Sequence, residues 1–202
     1  VAAIAAVTLG LNLWELRADL PAVLHSDFVQ IGQALDFAPS GRVEDSPVYP
    51  LPIVYLYTGA FLAVYGVGHA LGWGHYVDWP TYLQHLARPE VHHAIGRGVG
   101  AVCAALLAVG VYRLARVRFD RSVSVLASAM AAFSPLLTIY AHQVRPHVPV
   151  IALVVLAGPA VLRAALQPGF KTALLGGIGA GLAAATFQVG LPYAAAALAL
   201  AV

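Results

Sequence analysis

The chain has 202 residues, of which 60% are hydrophobic and only 10% charged, and its mean hydropathy is +0.80. Soluble domains carry about 25% charged residues, so this composition excludes an ordinary soluble fold. The apolar runs are continuous rather than alternating, which predicts an all-α, polytopic transmembrane helix bundle in a lipid bilayer rather than a barrel. The net charge of +2 is too small to indicate a nucleic-acid partner.

The apolar stretches predict several membrane helices in chain order, since one span needs about 20 residues. The first stretch is too short to span alone, and we interpret it as the end of a first span in a fragment truncated at both ends. One membrane domain then covers residues 1–202, with an outer loop containing juxtamembrane helices at 15–90 and further spans in 91–202. The predicted spans are 1–14, 91–112, 121–141, 147–166 and 171–190, with another beginning near Leu191.

The stretch from Val48 to Gly72 is also long enough to span, and its status decides the topology. A loop of four arginines follows the span at 91–112, and positively charged loops stay in the cytoplasm. Both ends of 15–90 then lie on the outer face, so we expect Val48–Gly72 to lie in the interface or to dip in and return. The alternative is an ordinary span with the arginines outside. The arginines are Arg113, Arg116, Arg118 and Arg121.

The polar residues of this arrangement gather on the outer face, which we therefore expect to carry the function. Within "HSDFVQIGQALDF", Ser26 can cap a helix on which Phe28, Ile31 and Leu35 form an apolar stripe. Asp27 then lies in the first turn, where the helix dipole favours the ionised carboxylate that a general base requires. The alternative is that Asp27 only stabilises the start of the helix.

A second group of polar residues lies in "AHQVRPHVP", the predicted outer turn between two spans. Arg145 is a permanent cation suited to a phosphate or pyrophosphate, although it could also anchor the chain at lipid headgroups. Arg97 lies about two turns into the 91–112 span, where a charge should face protein or a cavity. It could meet a phosphate or pair with an acid such as Glu90.

No cofactor is predicted. The adjacent histidines at 92 and 93 point about 100° apart on a helix, and the chain holds no HExxH motif or His/Cys cluster. A divalent ion held by Asp27 and another loop carboxylate stays conceivable, but no spacing supports it. The glycines of "GGIGAG" lie inside an apolar span and indicate helix packing rather than phosphate binding.

With these residues in view, the chain resembles the GT-C membrane glycosyltransferases, and especially the dolichyl-phosphate-mannose protein mannosyltransferase-like family. The resemblance rests on the order and spacing of five pieces rather than on any one of them. They are "HSDFVQIGQAL" after the first span, "SPVYPLPIVYLYTGAF", "IGRGVGAVCAALLAVGVYRLARVRF", "SVLASAMAAFSPLLTIYAHQVRPHVP" and "LLGGIGAGLAAATFQVG".

The resemblance implies an inverting glycosyltransferase at the extracytoplasmic face of a plasma membrane. Its donor would be a polyprenyl-phosphate sugar and its acceptor a hydroxyl of unknown origin. By analogy with the family, Asp27 would be the base, and Arg97 and Arg145 would hold the phosphate. The remaining candidates for substrate binding are His25, Tyr49, His142 and His147.

Three positions depart from the family pattern. Phe28 stands where a second acid is usual, His147 where aspartate is frequent, and Gln188 where lysine is frequent. These changes leave open a divergent enzyme or a catalytically inactive membrane scaffold. A transporter subunit is the rival from another class, but it predicts charges along a path at the middle of the bilayer, where these spans hold almost none.

Overall fold

The computed structural model describes residues 1–14, 16, 28–41, 51–167, 169–186 and 190–199. Within these residues the chain forms α-helices, one short 3-10 helix at Gly74–Tyr76 and no β-strand, which confirms the all-α prediction. The helices are α1 (Ala2–Leu13), α2 (Phe28–Ser40), α3 (Leu51–Ala70), α4 (Trp79–Leu86), α5 (Pro89–Ala115), α6 (Arg121–Ala132), α7 (Pro135–His142), α8 (His147–Leu166), α9 (Phe170–Thr186) and α10 (Leu191–Ala199).

Three of these helices, α3, α5 and α8, are long and apolar enough to cross a membrane, and α6 with α7 qualifies as a fourth, bent span. The predicted spans at 91–112 and 147–166 correspond to α5 and α8, although α5 extends further at both ends. A helix rises about 1.5 Å per residue, so α5 is about 40 Å long and overhangs a hydrocarbon core of about 30 Å. The shorter apolar helices α1 and α9 match the stretches predicted at 1–14 and 171–190.

The span predicted at 121–141 is not one continuous helix. α6 ends at Ala132, α7 begins at Pro135, and the two axes differ by 49°. Pro135 cannot donate a backbone hydrogen bond, and it disfavours helical geometry at the residue before it. Ser134 accordingly adopts an extended conformation, with φ −66° and ψ 122°. The Ser-Pro pair therefore interrupts the helix and redirects the chain.

Helices α5 and α8 run parallel and in close contact. A Cβ added at Gly110 would lie 3.1 Å from the Leu156 nitrogen, and one added at Gly158 would lie 3.1 Å from the Leu114 side chain. Residue numbers at these two contacts increase in the same direction along both helices, so the helices are parallel. The bent pair α6 and α7 brings the chain back from the end of α5 to the start of α8. Small residues at the crossing allow this approach, as in many membrane helix pairs.

The predicted outer loop packs against the start of α5. Ile31 of α2, Tyr57 and Phe61 of α3, and Tyr82 of α4 form one buried cluster with Val91 and Val144. The Tyr82 hydroxyl donates to the Phe61 carbonyl at 2.8 Å, and burial raises the pKa of this phenol. Ile31 is fully buried and Leu35 packs on the cluster, as the predicted stripe requires.

The status of α3 decides the topology. Its length and composition permit a crossing. Its side chains from Leu56 to Val64 face the same groove as Val91–Leu106 of α5, so α3 lies beside the first two thirds of that helix. The start of α3 also lines a smaller pocket with Leu106 of α5 and Leu156 of α8. That residues 15–90 all lie on one face stays a prediction.

Candidate active site

The predicted site residues divide into two sets. His25, Asp27 and Tyr49 lie outside the described residues, and so does Gln188. The structure places the other candidates around the start of α5 and the turn between α7 and α8. These are Arg97, His142, Arg145 and His147. We call this end of the bundle the Arg97 end.

A close contact between α5 and the α7–α8 turn brings the two arginines to the same end. A Cβ added at Gly96 would lie 2.9 Å from the Val144 side chain and 2.9 Å from Ile31 Cδ1. Only glycine permits this approach without a shift of its neighbours. Because Arg97 follows Gly96 and Arg145 follows Val144, both side chains start from this junction. The first turns of α2 meet the same junction through Ile31.

Arg97 is half-buried, and its Nη1 donates to the carbonyl oxygen of Leu16 at 3.1 Å. Glu90, the acid suggested above as one possible partner, does not pair with Arg97; it accepts from Arg88 Nε at 2.8 Å. The contact with Leu16 joins residues 81 positions apart. Arg97 lies about 12 Å from the start of α5, so the overhang of that helix keeps the charge near the membrane boundary.

His142 fixes the neighbouring part of the same segment. Its Nδ1 lies 2.9 Å from the Thr138 carbonyl oxygen, and its Nε2 lies 3.3 Å from the Trp14 carbonyl oxygen. A neutral imidazole has one N–H and can donate to only one of these oxygens, whereas the protonated ring donates to both. His142 therefore ties α7 to the chain just after α1, beside the contact made by Arg97.

His147 and Arg145 line the other side of this end. The His147 ring stacks on Tyr140, with centroids 5.4 Å apart and planes 24° apart. The Arg145 backbone N–H donates to the Gln143 carbonyl at 2.8 Å, which closes the tight turn before α8. Both residues are half-buried. The turn thus presents one permanent cation and one imidazole next to the start of a helix.

Gln30 is a buried polar residue that sequence reasoning did not single out. It is fully buried, and its Nε2 and Oε1 have no hydrogen-bond partner among the described residues. An unsatisfied buried polar group costs about 1–3 kcal/mol. The sequence signal was an amide inside "HSDFVQIGQAL", one turn after Asp27. A glutamine at this position can lie on the exposed or on the buried face of a helix. Only the packing of α2 shows that Gln30 is buried.

An apolar groove of about 840 Å³ runs between α1, α3 and α5. On α5 its lining extends from Val91 to Leu106, which corresponds to a path of about 22 Å. The polar side chains on its lining are Tyr76 and His85, and the remainder is apolar apart from Cys103. Leu16 also lines the groove, and its carbonyl is the acceptor for Arg97. One side of the groove therefore lies next to the Arg97 end of the bundle.

No group of three or more metal-ligating side chains is found in the part of the chain that the structure describes. The metal hypothesis for Asp27 lies outside that part. Among the described side chains, the Arg97 end offers cations, imidazoles and an adjacent apolar groove. This combination can bind an anion that carries a long apolar chain.

Comparisons with known proteins give one match. A family profile for dolichyl-phosphate-mannose-protein mannosyltransferases matches residues 91–202, which is more than half of the chain. No curated protein and no solved structure matches the chain significantly. The matched region begins in the first turn of α5 and includes Arg97, the bent pair and the turn that carries Arg145.

Proposed function

Because the chain belongs to the dolichyl-phosphate-mannose-protein mannosyltransferase family, we propose that it transfers a sugar from a polyprenyl-phosphate donor to an acceptor hydroxyl. Family membership makes it a multi-pass membrane glycosyltransferase of the GT-C type. We place the reaction at the extracytoplasmic face of the plasma membrane. The reason is the arginine-rich loop after α5, which the positive-inside rule assigns to the cytoplasm.

The observation that carries this proposal is the position of the apolar groove relative to the cations. Leu16 lines the groove and accepts a hydrogen bond from Arg97 through its backbone. A lipid chain lying in the groove would therefore bring its phosphate to the Arg97 end. The length of the lining, about 22 Å along α5, suits an extended hydrocarbon chain better than a compact solute.

Arg97 and Arg145 are the proposed phosphate ligands. A guanidinium remains charged at any physiological pH and donates in a planar fork that matches phosphate oxygens. When the sugar leaves, the anomeric carbon–oxygen bond breaks and the polyprenyl phosphate gains negative charge. Cations placed where this charge develops stabilise the transition state more than the ground state. This selectivity would promote departure of the leaving group.

Asp27 is the proposed general base. It immediately precedes α2, and Ile31 of that helix meets the junction of Gly96 and Val144. In the proposed step the carboxylate takes the proton of the acceptor hydroxyl while the hydroxyl oxygen bonds to the anomeric carbon. The bond to the phosphate oxygen breaks on the opposite face of the sugar. The configuration at that carbon is therefore inverted.

The other predicted substrate contacts have supporting roles in this proposal. His142 and His147 belong to the same end of the bundle as the two arginines and can donate to phosphate or sugar oxygens. His25 and Tyr49 are the remaining proposed contacts to the substrate. The observed bond of His142 to the Trp14 carbonyl gives this residue a positioning role as well.

The decisive experiment replaces Asp27 with asparagine in the full-length protein. Loss of a general base typically slows the reaction by about 10²–10⁴-fold, whereas asparagine keeps the size of the side chain and its ability to cap a helix. Transfer of sugar from a polyprenyl-phosphate donor should therefore fall at least about a hundredfold, with donor binding retained. Asp36→Asn is the matched control, because Asp36 is exposed near the end of the same helix.

Two outcomes would count against the proposal. Near-normal transfer by a folded Asp27→Asn variant would leave Asp27 as a helix-start residue only. No transfer by the full-length wild-type protein with any polyprenyl-phosphate sugar would favour the inactive scaffold, which the departures at Phe28, His147 and Gln188 keep open.

A further inference from the structure

Besides the apolar groove, the structure has a polar pocket at the end of the α5–α8 pair that lies opposite Arg97. Its volume is about 300 Å³, and its lining combines three arginines and a tyrosine with apolar residues of α8. The polar residues are Tyr112, Arg113, Arg116 and Arg163. We call it the three-arginine pocket. It shares no lining residue with the groove described above.

The parallel packing of α5 and α8 explains why these side chains converge. Both helices end at the same end of the bundle, so the last turn of α5 faces the stretch of α8 from Leu156 to Arg163. Arg113 and Arg116 are three residues apart and lie on one face of the chain at the end of α5. Arg163 lies in the last turn of α8. Glycines at 110 and 158 hold the two helices close just before these turns.

The charge in the pocket is not balanced by acids. None of the three arginines forms an ion pair with any carboxylate that the structure describes. The nearest acid in sequence is Asp120, and its Oδ1 accepts from the Val123 backbone instead, as the cap of α6. Arg116 Nη1 donates to the Phe119 carbonyl at 2.8 Å, which leaves its positive charge uncompensated.

Two general effects favour arginines at this place but do not explain the pocket. Cations are stabilised at helix C-termini, and basic residues collect on the cytoplasmic side of membrane helices. Neither effect by itself brings three guanidinium groups to one concavity. All three arginines are exposed where they line it, so an anion can reach them from solvent or from the membrane surface.

We propose that the three-arginine pocket binds the phosphate group of an anionic lipid from the leaflet opposite the sugar-transfer site. Guanidinium groups bind phosphate oxygens through paired hydrogen bonds, and the Tyr112 hydroxyl can add another. Basic pockets between membrane helices on the cytoplasmic side are suited to phosphate headgroups. The apolar part of the lining, which includes Leu156 and Pro159, belongs to α8, a helix long and apolar enough to cross a membrane, and we propose that it contacts the start of the acyl chains.

The test uses the purified full-length protein in neutral detergent. Its thermal stability is measured with increasing phosphatidylglycerol, with phosphatidylcholine as the uncharged reference and with inorganic phosphate as a soluble source of the same group. The pocket variants are Arg163→Gln and Arg113→Gln/Arg163→Gln. The matched control is Arg118→Gln/Arg121→Gln, which removes two charges from the same loop but none from the pocket.

We expect phosphatidylglycerol to stabilise the wild type and the control, and the pocket variants to bind it about tenfold or more weakly. Size-exclusion profiles verify that each variant is folded. If the double variant does not fold, the comparison is made with Arg163→Gln alone. An equal loss of the lipid effect in control and pocket variants would overturn the proposal, leaving only general attraction to an anionic surface. If inorganic phosphate protects the wild type as well as the lipid does, and the pocket variants lose both effects, the pocket recognises the phosphate group alone, and the proposed preference for a lipid is wrong.

Discussion

Replacement of Gly100 by alanine should loosen the crossing of α5 and α7, and the cost follows from the atoms that meet there. A Cβ added at Gly100 would lie 3.1 Å from the Ala141 carbonyl carbon and would overlap the carbonyl oxygen. This obstacle is backbone, so no side-chain rotation can relieve it. Overpacking of this kind costs about 1–3 kcal/mol. The adjacent turn, which carries Arg145, should be displaced as α7 moves away.

Gly98→Ala provides the matched control, because a Cβ added at Gly98 meets no atom within 4 Å. Both variants gain about the same helix propensity from the loss of glycine. The difference between them therefore isolates the clash, and we expect Gly100→Ala to be less stable by about 1–3 kcal/mol. Unfolding of the full-length protein by SDS in mixed micelles, followed by circular dichroism, measures this difference. Equal stability of the two variants would refute the described contact between α5 and α7.

Two further predictions concern the topology and the donor. Cysteines placed at Ser40 and Asp78, which flank α3, should be labelled from the same compartment in a cysteine-free background; labelling from opposite compartments would show that α3 crosses. Arg97→Ala and Arg145→Ala should each weaken binding of a polyprenyl phosphate by about 1.5–3 kcal/mol, measured by titration calorimetry. Lysine should rescue only in part because it lacks the planar fork. Unchanged affinity in both alanine variants would remove the phosphate role.

The helices were predictable because long apolar runs in this composition have few alternatives to membrane helices. The prediction for 147–166 agrees with α8, and that for 91–112 lies within α5. The break between α6 and α7 was harder to predict. The Ser-Pro pair is visible in the sequence, but membrane helices often accommodate proline without ending. Whether Pro135 bends or terminates the helix depends on what packs against it.

The contacts of the candidate site were not predictable, because they join residues far apart in sequence. The sequence suggested Glu90 as one partner for Arg97, whereas Arg97 donates to the Leu16 carbonyl and Glu90 pairs with Arg88. No local pattern relates residues 81 positions apart. The arginine-rich loop was equally clear in sequence, and the alternating spans already put Arg163 on the same side of the membrane. That Arg163 and Arg113 line one pocket follows only from the direct packing of α5 against α8.

The helix directions determine where the electrical asymmetry of the bundle comes from. Peptide dipoles in a helix sum to about half a positive charge at its start and half a negative charge at its end. α5 and α8 begin at the Arg97 end, but their neighbours run the opposite way: α1 ends beside Arg97, and α9 packs on α8 so that Gly176 meets Val161 and Gly179 meets Ala157. These neighbouring dipoles oppose one another, so the backbone contributes little to the difference between the two ends. That difference resides in the basic side chains, and their removal would abolish most of it.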